Sequence, residues 1–121
     1  MKEIKHIFEP NLLACGQAVV AMLTGADVTE IMRLAGTERE TTLADMRRLL
    51  SHFGLSLSSE RVQAQDISEL PDMAVLRLET PRCWHWSLYY GGKVYDPEHG
   101  VLDGFPISNR KYFWEVRQTE N

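Results

Sequence analysis

The sequence predicts an α+β domain in which N-terminal helices pack on a C-terminal antiparallel β-sheet. Three observations lead there. Helix start and stop signals crowd the residues before Gly54, strand-like runs occupy the residues after it, and Gly91-Gly92 reads as a hairpin turn between two such runs. At 121 residues the whole chain, 1–121, fits one domain with a core large enough to need no staples.

The first helix is expected from about Cys15 to Leu23, apolar nearly all round and therefore buried, with Gly25 placed to end it. Asp27-Val28-Thr29-Glu30 has the spacing of a capping box, in which a side chain satisfies an orphan amide and a later carboxylate reaches back. That opens a second helix, to about Ala35, which Gly36 stops. Thr42-Leu43-Ala44-Asp45 opens a third, with Leu43, Met46, Leu49, Leu50 and Phe53 at helical spacing. After Gly54, Leu55 to Leu57 and Arg61 to Gln63 suggest short strands, and Asp66 to Leu70 one helical turn. Met73–Leu78 and Cys83–Tyr90 read as strands. Lys93–Asp96 returns from the glycine turn, and Pro97, having no amide, stops the ladder. Tyr112–Arg117 is the last strand expected, and Gln118 to Asn121 read as a tail.

Composition narrows the partners. A net charge of −4 opposes a broad attraction to nucleic acid or an anionic membrane, for which basic clusters are needed. Two cysteines make no disulfide framework, so a reducing compartment is expected. With no signal peptide read in the sequence, the location expected is cytoplasmic, with secretion as an effector by a signal-less route the alternative. Leu12-Leu13-Ala14-Cys15 imitates a lipidation site, but Glu3, His6, Glu9, Pro10 and Asn11 break the continuous apolar stretch of about 7–15 residues that a signal requires. The apolar run after Cys15 ends at Thr24-Gly25, short of the roughly 20 residues that span a bilayer. No membrane insertion is expected.

The chemistry concentrates on three residues. With strands paired symmetrically about Gly91-Gly92, Ser87 faces Asp96, and His85 becomes its diagonal neighbour on the same sheet face, about 7–8 Å away between backbones. Cys15 begins a helix, where the partial positive charge and free amides of the first turn favour thiolate over thiol. Cys15 is then a candidate nucleophile and His85 its proton acceptor. Asp96 would orient the imidazole, and the Cys15 backbone amide would receive an oxyanion. Each residue also has a plainer reading. A lone cysteine on an apolar helix is often buried core, His85 could be a satisfied half-buried histidine, and Asp96 before Pro97 could form only a turn.

Cys15-Gly16-Gln17-Ala18, Ala21-Met22-Leu23, His85-Trp86-Ser87-Leu88-Tyr89-Tyr90 and Tyr95-Asp96-Pro97, in that order, resemble the papain-like cysteine peptidases. The resemblance is to their compact bacterial branch, which includes the peptidases that remove double-glycine leaders from bacteriocins. It spans about Glu9 to Pro97. It implies a papain-like fold, a peptide or protein substrate, no cofactor, and a hydrolase acting through an acyl-enzyme on Cys15. A side-chain amide or isopeptide bond would serve the same chemistry, as in a deamidase or a small effector protease. The family usually places an oxyanion-stabilising glutamine six residues before the cysteine, and here that position is Glu9. An ionised glutamate repels an oxyanion, whereas a protonated one donates to it. Glu9 therefore keeps a second reading open, a peptide-binding module with impaired turnover. Asn11 or Gln17 would be the substitute donors.

Trp84 and Trp86, with Tyr89 and Tyr90, are candidates for a peptide groove, although aromatics at strand spacing are commonly core. Cys83, sharing a strand face with His85, could join Cys15 or His99 around a metal, but no fourth ligand is evident, and no metal is expected. His6 and His52 are expected to be solvated.

Overall fold

The computed structural model describes residues 3–11, 13–36 and 40–119. Leu12 of the lipidation-like motif and Glu120 and Asn121 of the expected tail lie outside the described residues. Three helices, α1 (Cys15–Thr24), α2 (Val28–Ala35) and α3 (Leu43–His52), precede the strands β1 (Leu55–Leu57), β2 (Val62–Gln63), β3 (Met73–Glu79), β4 (Trp84–Tyr90), β5 (Lys93–Asp96), β6 (Gly100–Leu102) and β7 (Lys111–Gln118). A single 3-10 turn, Ile67–Glu69, lies between β2 and β3. The strands form one antiparallel sheet in the order β1-β7-β3-β4-β5-β6, with β2 also on β7. No described helix is long and apolar enough to cross a membrane.

The helices start where their caps allow. Asp27 accepts from the Thr29 amide at 2.9 Å to open α2. The reciprocal box forms at α3, where Thr42 and Asp45 satisfy each other's amides. α1 has no such help: its N-cap is Ala14, which makes no side-chain cap. Nine of its ten residues are buried, so packing on the sheet holds it rather than local capping.

Val75, Trp86, Leu88, Trp114 and Val116 meet the three helices in the main core. Ala74, Leu76, Leu78, Tyr89 and Val94 form a second core on the opposite face, covered by Ile67, Leu70, Leu102, Phe105 and Phe113. The unbroken burial of Met73 to Leu76 follows from lying under both.

The Gly91-Gly92 turn has both φ values positive, at 56° and 91°, and pairs Tyr90 with Lys93, Tyr89 with Val94 and Leu88 with Tyr95, the register expected. Two expectations need correction at the chain's later turns. Pro97 does not end the sheet, because Asp96 turns the chain back and β6 pairs with β5 through Asp96–Gly100. The tail is also shorter: Gln118 belongs to β7, and Thr119 donates both its amide and its hydroxyl to the Gly54 carbonyl at 2.9 Å.

Candidate active site

A broken ladder makes room for the site. Continuing the β4–β5 register past Leu88–Tyr95 sets Trp86 opposite Pro97, which has no amide to give. The two strands part there, and their orphaned groups find other partners. The Trp86 amide donates to Cys15 Sγ at 3.5 Å, and the Pro97 carbonyl accepts from the Glu9 amide at 2.8 Å. One proline thus brings the start of α1 and the preceding arm to the same gap. Asn11 shapes the approach, its side chain accepting from the Leu13 amide at 2.9 Å and its carbonyl from the Ala14 amide at 3.1 Å.

Close packing then fixes Cys15. A Cβ on Gly16 would fall 1.9 Å from Thr41 Oγ1, 3.0 Å from Met46 Sδ and 3.1 Å from Trp86 Cδ1. The Trp86 indole donates to the Thr41 carbonyl at 2.9 Å, and its ring lies 4.5 Å beneath the Arg77 guanidinium. Cys15 is 3% exposed.

His85 and Asp96 meet as the hairpin register requires, with Nε2 at 3.1 Å from Oδ1. Asp96 is fully buried. Its Oδ2 accepts from Ser87 Oγ at 2.9 Å, while Oδ1 also accepts from the Glu98 and His99 amides and contacts His99 Nδ1 at 3.0 Å. The two amide bonds are those of an Asx turn. Turn former and imidazole partner are therefore the same carboxylate. Burial alone would raise the Asp96 pKa, but the hydrogen bond and charge of His85, with the Glu98 amide and Ser87 hydroxyl, hold it well below the usual carboxylate range. For His85, burial opposes protonation, and the Asp96 carboxylate and the Cys15 sulfur override it to hold the imidazole well above its ordinary value.

Glu9 completes the cluster. One ligand atom from each of Glu9, Cys15 and His85 lies within 4.8 Å of the others, and this is the set of three among the described residues able to hold a metal ion. Glu9 Oε1 is buried with no hydrogen-bond partner. Burial raises its pKa, with Glu98 and Asp96 adding to the rise and His85 and His99 opposing it.

Several expected roles change. Trp86 is 2% exposed, tilted against Trp114 and locked onto Thr41, so its ring packs beside Gly16 at the start of α1 and lines no groove. Trp84 is half-buried, stacked on Tyr112 with Arg110 5.0 Å over its ring, and keeps an accessible edge. Gln17 is buried with Oε1 unpartnered, and Asn11 spends its side-chain oxygen on the turn. Cys83 is exposed and outside the metal-capable set. His52 is exposed as expected, but His6 is half-buried, its Nε2 2.7 Å from the Asp96 carbonyl oxygen. Thr41 and Arg77 carried no sequence signal, being brought to Trp86 only by packing.

Beside His99 an apolar cavity of about 530 Å³ opens, lined by Glu98, Leu102, Phe105, Ile107 and the Thr80–Arg82 turn. An ion pair between Arg82 and Glu98, at 2.9 Å, lies within that lining.

No protein-family model matches the chain, and no curated protein matches it. Solved structures do. A double-glycine motif protease from an AMS/PCAT transporter, crystallised with its leader peptide, matches with a TM-score of 0.64 at 15% identity, over 93% of this chain and 92% of that one. The peptidase domain of Streptococcus ComA, a bifunctional ABC transporter of a quorum-sensing pathway, matches with a TM-score of 0.70 at 14% identity, over 98% and 100%. The fold is that of these papain-like peptidase domains.

Proposed function

We propose that this papain-like domain is a thiol-dependent hydrolase that cleaves a peptide, isopeptide or side-chain amide bond through an acyl-enzyme on Cys15. The observation that carries the reading is the His85–Asp96 hydrogen bond set beside a cysteine at an uncapped helix start. Asp96 engages Nε2, which leaves Nδ1 to take the thiol proton. The thiolate attacks the carbonyl carbon, and the oxyanion is met by the Cys15 amide in the unsatisfied first turn of α1. The C–N bond breaks as His85 returns its proton to the leaving amine, and water then hydrolyses the thioester. The apolar cavity beside His99 provides a place for substrate side chains, and the leader peptide held by one structural neighbour supports a peptide as substrate.

Glu9 sets the rate in this reading. Protonated, it donates to the oxyanion; ionised, it repels it. Glu9→Gln is expected to raise kcat/KM at neutral pH by about tenfold or more, since one oxyanion donor is worth roughly a hundred- to a thousandfold. Because burial raises the Glu9 pKa, wild-type activity relative to Glu9→Gln falls as pH rises through that pKa, and the variant lacks that limb. The test is cleavage of a peptide library containing double-glycine sites by wild type, Glu9→Gln and Cys15→Ala, with chelator present. Product that disappears with Cys15→Ala supports the hydrolase. Peptide binding without product from either cysteine-containing form would establish the rival reading, a binding module, which the unpartnered Glu9 Oε1 favours.

A further inference from the structure

We propose that Glu9, Cys15 and His85 form a site for a zinc ion that reversibly caps the Cys15 sulfur. Their ligand atoms lie within 4.8 Å of one another. A tetrahedral zinc holds sulfur, nitrogen and oxygen ligands about 3.4–3.6 Å apart, so closure by about an ångström suffices. Three features of the cluster point to a cation.

Glu9 Oε1 is a buried acceptor with no donor; a metal ion satisfies it where an oxyanion cannot. His85 already has the form of a metal ligand, with Nε2 hydrogen-bonded to Asp96. Metal-bound imidazoles nearly always donate the other ring N–H to a carboxylate or carbonyl, which fixes the tautomer and aims the ligating nitrogen. The charges also close: a thiolate and a carboxylate neutralise a divalent ion in a site where Cys15 is 3% exposed. A mixed sulfur, nitrogen and oxygen set selects zinc over magnesium or calcium, which take oxygen ligands. Water would fill the fourth position. Binding forms Zn–S, Zn–N and Zn–O bonds and releases to solvent the proton that Cys15 and His85 share, together with the Glu9 proton where that carboxyl is protonated, with no change of oxidation state.

Glutamine at position 9 would keep the same length but bring no charge. Glu9 therefore distinguishes a site with three anionic or nitrogen donors from a cysteine–histidine pair. The binding itself does not rest on the hydrolase reading; only its consequence, a nucleophile switched off by zinc, does.

Cobalt and zinc titrations of the chelator-stripped full chain test this. Wild type is expected to take up one cobalt ion with a thiolate-to-cobalt charge-transfer band that zinc bleaches, and zinc should protect Cys15 from iodoacetamide as read by mass spectrometry. Glu9→Gln should raise the zinc dissociation constant at least about tenfold, a loss comparable to that of even an outer-shell partner. Cys15→Ala should abolish the band and Cys83→Ser should leave it intact. Equal zinc affinity in wild type and Glu9→Gln, or a band that follows Cys83, would overturn the proposal. Peptide cleavage by the metal-free protein is scored separately. Cleavage with no metal binding sinks the zinc site alone, and metal binding with no cleavage sinks the hydrolase alone.

Discussion

Asp96→Asn is expected to leave a folded protein with a disabled thiol. Asparagine can still accept from the Glu98 and His99 amides that shape the turn. That same oxygen faces Nε2, so it can also keep accepting from Nε2–H, but without the negative charge that holds the imidazole protonated. The Cys15 thiolate and its imidazolium partner are then disfavoured against the neutral thiol and imidazole. Alkylation of Cys15 at pH 6, with chelator present, should slow about tenfold to a hundredfold as the imidazolium beside the sulfur loses its counter-charge. Peptide cleavage should fall by a similar factor, since the attacking species is the thiolate. Unchanged alkylation would remove Asp96 from the mechanism.

The same carboxylate carries stability, and the signs differ for the two partners. The folded pKa of Asp96 is depressed, so its contribution is complete above about 3.9, the unfolded value, and is lost as pH falls toward the folded value. The folded pKa of His85 is raised, so its contribution is complete below about 6.5 and is lost as pH rises toward the folded value. The difference in unfolding free energy between wild type and Asp96→Asn should therefore peak between about pH 4 and 6.5. Asp96→Ala should cost more, about 3–5 kcal/mol, because it leaves the imidazole and the buried Ser87 hydroxyl without their acceptor.

Gly16→Ala is the second large effect, and it acts through sterics. The new methyl would sit 1.9 Å from Thr41 Oγ1, a distance no pair of non-bonded atoms tolerates, with Met46 and Trp86 closing the other directions. Overpacking of this kind costs about 1–3 kcal/mol and occasionally more. Thr41 Oγ1 is itself buried and unpartnered, so Thr41→Ala alone should cost little or stabilise. In the double variant the obstructing atom is gone, and a large part of the loss should return. Denaturant unfolding of the four proteins gives the coupling energy. Additive effects would mean that Gly16 is required for some reason other than Thr41.

What the sequence made legible was local or symmetric. The caps at Asp27 and Thr42, the glycines that end the helices and the two-residue turn at Gly91-Gly92 are written in neighbouring residues. The turn alone determined that His85 would reach Asp96. β6 was hidden because its start depends on Asp96 using its side chain as a turn former, which Pro97 disguised as a stop. The second core was hidden because the strand alternation that reveals one buried face is silent when both are covered. His99 arrives through the local turn at Asp96, whereas His6, Thr41 and Arg77 reach the site only through tertiary closure. Trp86 was misread for the same reason, since a tryptophan beside a candidate histidine looks like groove lining until its indole is seen bonded to Thr41.

Asp96 joins two jobs that most active sites keep apart. Its side-chain oxygen that meets His85 also accepts the amides that start β6 at the sheet's edge. Edge hairpins open at lower free energy than sheet centres. Each opening of the β5–β6 hairpin must release the imidazole, so the lifetime of the reactive thiolate is bounded by the lifetime of that edge. Hydrogen exchange at the Glu98 and His99 amides and the reactivity of Cys15 should then report one and the same fluctuation.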